Sequence, residues 1–225
     1  MCGRYTLSSP VEVIADLFEI AYPSLPHSPR YNLAPTQEAP VALVREPGAP
    51  RTLEALRWGL IPYWAKEASI GNRMINARAE SVADKPAYRY SFKKKRCLVP
   101  TDGFYEWKKE GKAKQPYLIR RRDHQPFAFA GLWSSWRNPE GSLVETFTIL
   151  TTDANGDVRE LHDRMPVVVA RPDFGFWLDP KVDDVERLQT LLKPAPEGDL
   201  ELIRVSKNVN SPAYVGADCI EALVE

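Results

Sequence analysis

Hydrophobic and polar positions divide the chain into a short helical opening, a proline-rich stretch and a long series of strand-like runs. Val11, Ile14, Leu17 and Phe18 recur at helical spacing, and Ser9-Pro10-Val11-Glu12 puts a hydroxyl before a first-turn proline with a glutamate three residues later. That pattern predicts an amphipathic helix over 10–20, capped by Ser9. Residues 21–37 carry Pro23, Pro26, Pro29 and Pro35, which fix φ and remove backbone donors, so a stiff irregular loop is predicted there. Beyond it, short runs rich in β-branched and aromatic residues predict strands at 40–44, 51–58, 96–100, 103–107, 116–120, 127–133, 144–152, 165–170 and 200–206. Polar turn segments at 109–112 and 138–141 between such runs indicate hairpins. Helices are predicted at 86–92, 172–178 and 183–192, the last with Val185, Leu188, Leu191 and Leu192 in a stripe behind Asp183 or Asp184.

These elements predict an α+β fold, a mostly antiparallel curled or barrel-like β-sheet with a few peripheral helices. No repeat and no long flexible linker divides residues 1–225, so a single domain is expected. Apolar residues make up 44% and charged residues 27%, values that exclude a disordered, collagenous or coiled-coil chain. No stretch approaches the roughly 20 apolar residues that span a bilayer, and the opening MCGRYTLSSP is unlike a signal peptide. A cytoplasmic protein with no membrane association is the expectation.

The 30 basic and 30 acidic side chains cancel, but they are unevenly placed. Residues 66–122 carry 16 basic and 6 acidic groups, a net +10, against −1 before them and −9 after them. The middle of the chain could therefore face an anionic substrate, or it could be a solvated basic surface balanced elsewhere. Cys2, Cys97 and Cys219 are too far apart for a disulfide framework, and His27, His124 and His162 are isolated, so no local zinc-ligand cluster can be read. With no GxGxxG after a strand, no GxxxxGK followed by Ser or Thr and no HExxH, no metal and no cofactor is expected. The calcium-loop-like stretch 153–164 has Val158 where the turn requires glycine and Arg164 where a bidentate glutamate belongs.

Candidate chemistry begins at the second residue. Removal of Met1 would leave Cys2 with a free α-amine of pKa about 7.7–8.0 and a thiol of about 8.5, both partly available as nucleophiles near neutrality. Such a 1,2-aminothiol condenses with an aldehyde to an imine, and the thiol then closes a five-membered thiazolidine. The same residue could act as an N-terminal nucleophile in amide hydrolysis, or be a buried structural cysteine. Asn76 in RMINARAE, Glu106 in VPTDGFYEW and His162 in ELHDRMP lie in dense polar and aromatic segments. An amide can hold a sugar or carbonyl oxygen, and a carboxylate between Tyr105 and Trp107 can have its pKa raised by burial.

The motifs MCGRY, RYNLAPTQ (30–37), LRWGLIPYW (56–64), INARAE (75–80), VPTDGFYEWKK (99–109), ILTTDAN (149–155) and LHDRMPVVV (161–169) occur in one order along most of the chain. In this the sequence resembles the SRAP (SOS response-associated peptidase) family. The resemblance implies a SRAP-like fold and a protein that shields abasic sites in single-stranded DNA through a thiazolidine link to its processed N-terminal cysteine. It also implies possible AP-lyase and autoproteolytic or thiol peptidase activity, action as a monomer, and possible use of single-strand/double-strand junctions. On this chain it assigns catalysis to Cys2, Asn76, Glu106 and His162. DNA contacts fall on Gly3 and Arg4, on Arg78 beside a phosphate, on Trp64 stacking near the lesion, and on Asn32, Pro35, Thr151 and Arg164 lining the pocket.

Overall fold

In the computed structural model, which describes residues 2–21, 25, 28–111 and 113–223, thirteen strands and four α-helices follow one another as β1 (Tyr5–Leu7), α1 (Val11–Phe18), β2 (Arg30–Leu33), β3 (Glu38–Leu43), β4 (Thr52–Trp58), β5 (Asn76–Arg78), α2 (Arg89–Lys94), β6 (Arg96–Thr101), β7 (Gly103–Glu110), β8 (Ala113–Arg121), β9 (Phe127–Arg137), β10 (Leu143–Asp153), β11 (Arg164–Pro166), β12 (Val168–Val169), α3 (Phe174–Leu178), α4 (Val185–Gln189) and β13 (Leu200–Arg204). The fold is α+β and mostly antiparallel, as the sequence predicts. Strands β10, β4, β3, β6 and β9 pair in that order, and β9 pairs back onto β10, which closes a five-stranded barrel. Its one parallel seam joins β4 to β10. Closure leaves these strands no free edge.

A second sheet, ordered β13-β8-β7-β1-β2, carries the N-terminus. The short β1 is central in it, with Tyr5 opposite Phe104 of β7 on one side and Leu33 of β2 on the other. Successive residues on β7 point to opposite faces. Phe104 joins the main core, which Tyr5, Trp58, Phe129 and Phe147 also fill, while Tyr105 packs with Leu118, Val205, Val209 and Cys219 in a second, smaller core. Glu106 therefore shares the barrel-facing side of the strand with Phe104.

Local details depart from the sequence reading in four places. Ser9 does not cap α1: the N-cap is Pro10, and the Ser8 and Ser9 amides and hydroxyls all donate to the Asp102 carboxylate, which joins the helix entry to the β6–β7 turn. Within the expected loop, Arg30–Leu33 is a strand, because β1 supplies backbone partners that no local signal announces. The predicted strand 165–170 is two strands. Around Val167, whose N–H donates to Leu150 O and whose carbonyl accepts from Ala130 N, the chain changes partner from β10 to β9. The helix expected at 183–192 is shorter and begins at Asp184, whose carboxylate accepts from Arg187 N.

After β4 the chain leaves the barrel and returns to the same edge of β10 as β5, where Asn76 pairs with Ile149. Two glycines permit this return. Gly59 has φ +124°, and a Cβ there would lie 2.5 Å from Gly71 O. Gly59→Ala is expected to destabilise the protein by about 1–3 kcal/mol through backbone strain, read as a lower urea midpoint with unchanged m. An unaltered midpoint would contradict the close approach.

Candidate functional site

Sheet register brings the N-terminus to Glu106. Tyr105 N donates to Arg4 O at 3.0 Å, extending the β1–β7 pairing, so the Cys2–Gly3 segment runs beside Glu106. From the barrel side, Asn76 Nδ2 donates to Cys2 O at 2.7 Å. Asn76 is itself fixed by the β5–β10 pairing, and its carbonyl accepts from Tyr88 Oη at 3.3 Å. Cys2 is fully buried. Its residue number is remote from 76 and 106, yet barrel and sheet converge on it.

Burial is the main cause of the electrostatics here. It pushes the Cys2 thiol well above its ordinary range, and the Glu106 carboxylate adds to the effect. Glu106 is only 4% exposed, and burial raises its pKa too, against the nearby His162. Burial thus disfavours the charged form of both groups and places a thiol and a carboxyl, two proton-carrying side chains, side by side. His162 lines the same cleft as Glu106, Trp107, Lys114 and Asn210. Its Nδ1 lies 2.9 Å from the Arg164 amide and 2.8 Å from Asp163 Oδ1.

Cys2, Asn76, Glu106 and His162 thus come together, while the expected DNA-contact residues divide. Arg78 and Trp64 are exposed, the latter by 49%, and Gly3 and Pro35 are half-buried. Arg4 is buried and donates from Nη1 to Asn32 Oδ1 and Val209 O, both at 2.8 Å, with its guanidinium 6.0 Å from the Trp107 ring centre. Asn32 Nδ2 in turn donates to Ser211 O and Tyr214 O. Arg164 is held by Glu80, Asp153 and the Thr151 carbonyl. The basic middle block is also partly committed: Arg96 is buried and donates to five carbonyls, and Lys94, Lys108, Arg120 and Arg121 pair with carboxylates.

Sequence reasoning missed the segment 206–214, whose Val209 and Asn210 secure Arg4 and Trp107; Trp107 Nε1 donates to Asn210 Oδ1 at 2.7 Å. The pairing of Tyr105 and Trp107 with distant C-terminal residues leaves no local pattern. Buried Tyr5 Oη, Asn76 Oδ1 and Thr151 Oγ1 have no hydrogen-bond partner among the described residues, a demand for polar ligand atoms or water. Among the described residues no group of three or more His, Cys, Asp or Glu is placed to hold a metal.

Residues 1–212 match the family described as SOS response associated peptidase (SRAP). The chain is 44% identical over 225 residues to the abasic site processing protein YoaM of Bacillus subtilis (strain 168), covering 99% of this chain and 98% of the relative. It is 30% identical to the abasic site processing protein YedK of Escherichia coli (strain K12), covering 98% of this chain and 99% of that one. A crystal structure of a protein from Bacteroides thetaiotaomicron superimposes with a TM-score of 0.86 at 26% identity, covering 99% of this chain and all of the other.

The raised pKa of Glu106 makes stability depend on pH. The folded state holds this proton more tightly than the unfolded chain, so stability falls as pH rises from the ordinary glutamate value, about 4.3, through the folded pKa. Glu106→Gln removes the buried charge and is expected to raise Tm at pH 7 relative to the parent, with the gain vanishing near pH 4. A lower Tm at pH 7, or a gain equal at both pH values, would contradict this origin.

Proposed function

The chain belongs to the SRAP family, and we propose that it processes abasic sites in single-stranded DNA by becoming covalently attached to them through the amine and thiol of Cys2 after loss of Met1. The observation that carries this reading is the 2.7 Å bond from Asn76 Nδ2 to Cys2 O, which holds the first residues of the mature chain against Glu106 in the His162 cleft. Met1 itself lies outside the described residues.

An abasic deoxyribose exchanges between a closed hemiacetal and an open aldehyde, and only the aldehyde reacts with an amine. His162 moves the proton that opens the ring. The Cys2 amine adds to the aldehyde carbon, and the Glu106 carboxyl, whose hold on its proton burial strengthens, donates that proton to the departing hydroxyl as water leaves and an iminium forms. The thiol then adds to that carbon, its proton passing to the Glu106 carboxylate, and the iminium electrons return to nitrogen. One aldehyde and one aminothiol give one thiazolidine and one water. Asn76 positions Cys2, and its unpartnered Oδ1 is available to a hydroxyl of the opened sugar. The high thiol pKa orders the sequence, amine first and sulfur second. The iminium can alternatively lose a proton from the adjacent carbon and cleave the strand by β-elimination, so lyase activity accompanies slow ring closure. In the corresponding peptidase reaction the Cys2 thiol attacks the Met1 carbonyl, the Met1–Cys2 amide breaks to a thioester and a free Cys2 amine, and water hydrolyses the thioester to release methionine and restore the thiol. The protein acts as a monomer, in the cytoplasm, on abasic lesions within single strands or at their junctions with duplex.

A variant that retains Met1 is expected to keep its far-UV circular dichroism and form no adduct with abasic single-stranded DNA on a denaturing gel; Cys2→Ser should leave only a borohydride-trappable imine. Parent-level adduct from either variant would refute attachment through both groups. His162→Ala and Glu106→Gln should each slow adduct formation roughly 100- to 10,000-fold. A substrate unable to cyclise should rescue His162→Ala but not Glu106→Gln, since it bypasses ring opening alone. Equal rescue in single-turnover measurements would overturn this division of roles.

A further inference from the structure

Tyr63 and Tyr90 are 64% and 52% exposed, yet they are not loose surface residues. Their rings meet edge to face with centroids 6.0 Å apart. Tyr63 stands on a turn closed by Ala65 N donating to Pro62 O at 2.9 Å and anchored from below by Trp136 Nε1 donating to Ala65 O at 2.6 Å. Tyr90 stands on α2, whose Phe92 is buried in the core. Two rigid supports thus present an aromatic pair that the core does not absorb. Trp64, the next residue along the turn, is the exposed base-stacking candidate of the lesion site.

Two cations and one carboxylate border the pair, a net positive charge. Arg89 and Lys93 line the groove beside the two rings together with Asp84, and neither cation has an ion-pair partner among the described residues. The next cations along the chain are occupied: Lys94, the last residue of α2, pairs with Asp183, and Lys95, just beyond it, lies 4.4 Å from the Trp133 ring centre and donates to Ser135 Oγ. Flat aromatic faces bordered by free cations match unstacked bases joined by phosphates. A duplex hides those faces, so the complementary ligand is a single strand.

We infer that Tyr63, Tyr90, Arg89 and Lys93 form a second single-strand subsite, where a nucleotide flanking the lesion stacks on the tyrosine pair and the two cations take its phosphates. This rests on the proposed action on single-stranded DNA. It extends the bound tract from Trp64 across the turn to α2 and makes non-covalent affinity depend on strand length.

The test uses undamaged oligothymidine of 5 and 20 nucleotides, so that binding is read without covalent attachment. Tyr63→Ala/Tyr90→Ala should weaken binding of the 20-mer about tenfold, within the roughly 5- to 150-fold expected for loss of one stacked base, and leave the 5-mer unaffected. Tyr63→Phe/Tyr90→Phe keeps the rings and should bind the 20-mer as the parent does. Arg89→Gln/Lys93→Gln should make the log–log salt dependence shallower by about 1.4, or about 0.7 per phosphate. All variants should crosslink a five-nucleotide abasic oligomer at the parent rate. Parent-like 20-mer binding by the alanine pair, equal losses on both lengths, or an equal loss on a 20-base-pair duplex would each overturn the subsite. Absence of crosslinking by the parent protein would overturn the proposed chemistry instead, and the length-dependent binding would still decide the subsite.

Discussion

The position of the N-terminus depends on β1 being a central strand although it is only three residues long. An N-terminal strand at a sheet edge frays readily; here Tyr5 is paired on both sides, its ring is buried against Trp58 and Phe129, and the Arg4 carbonyl accepts from Tyr105 N. Cys2 and Gly3 lie directly ahead of this constrained backbone. Asn76 then joins the strand to the barrel through Cys2 O. Loss of either constraint would release the Cys2–Gly3 segment from its place beside Glu106.

The same convergence explains why burial, rather than ion pairing, governs the titration of the site. Glu106 sits on the barrel-facing side of β7, where exposure is small and burial raises its pKa against the opposing influence of His162. The arginines nearby are spent on architecture. Arg4 fastens the segment 206–214 under Asn32 and Trp107, and Arg164 ties β11 to Glu80 and Asp153. These bonds hold the walls of the cleft and leave Arg78 and Trp64 as its exposed candidate DNA contacts.

Much of the strand series was legible because each of β3, β4, β6 and β9 has enough β-branched or aromatic residues to declare itself locally. What stayed hidden is what distant pairing decides. Tyr5–Leu7, Arg30–Leu33 and Asn76–Arg78 are too short for a periodic signal and become strands only because β7, β1 and β10 offer them partners. Ser9 satisfied every local rule for a cap, yet Asp102, more than ninety positions away, accepts its N–H and hydroxyl. Candidate chemistry at Cys2, Asn76, Glu106 and His162 was visible in residue type and motif. Their meeting was not, nor was the contribution of Asn210 and Val209, since it follows from β1, β5 and β7 converging and from the C-terminal segment folding back.

The central claim is that one carbon of the DNA becomes bonded to both the nitrogen and the sulfur of Cys2. Nuclear magnetic resonance of an adduct made with abasic DNA carrying carbon-13 at the aldehyde carbon reads this directly. A single tetrahedral-carbon resonance, coupled to nitrogen when the protein is nitrogen-15 labelled and stable after borohydride treatment, is the expected result. A trigonal imine carbon that borohydride reduces, or a tetrahedral carbon with no nitrogen coupling, would contradict the account.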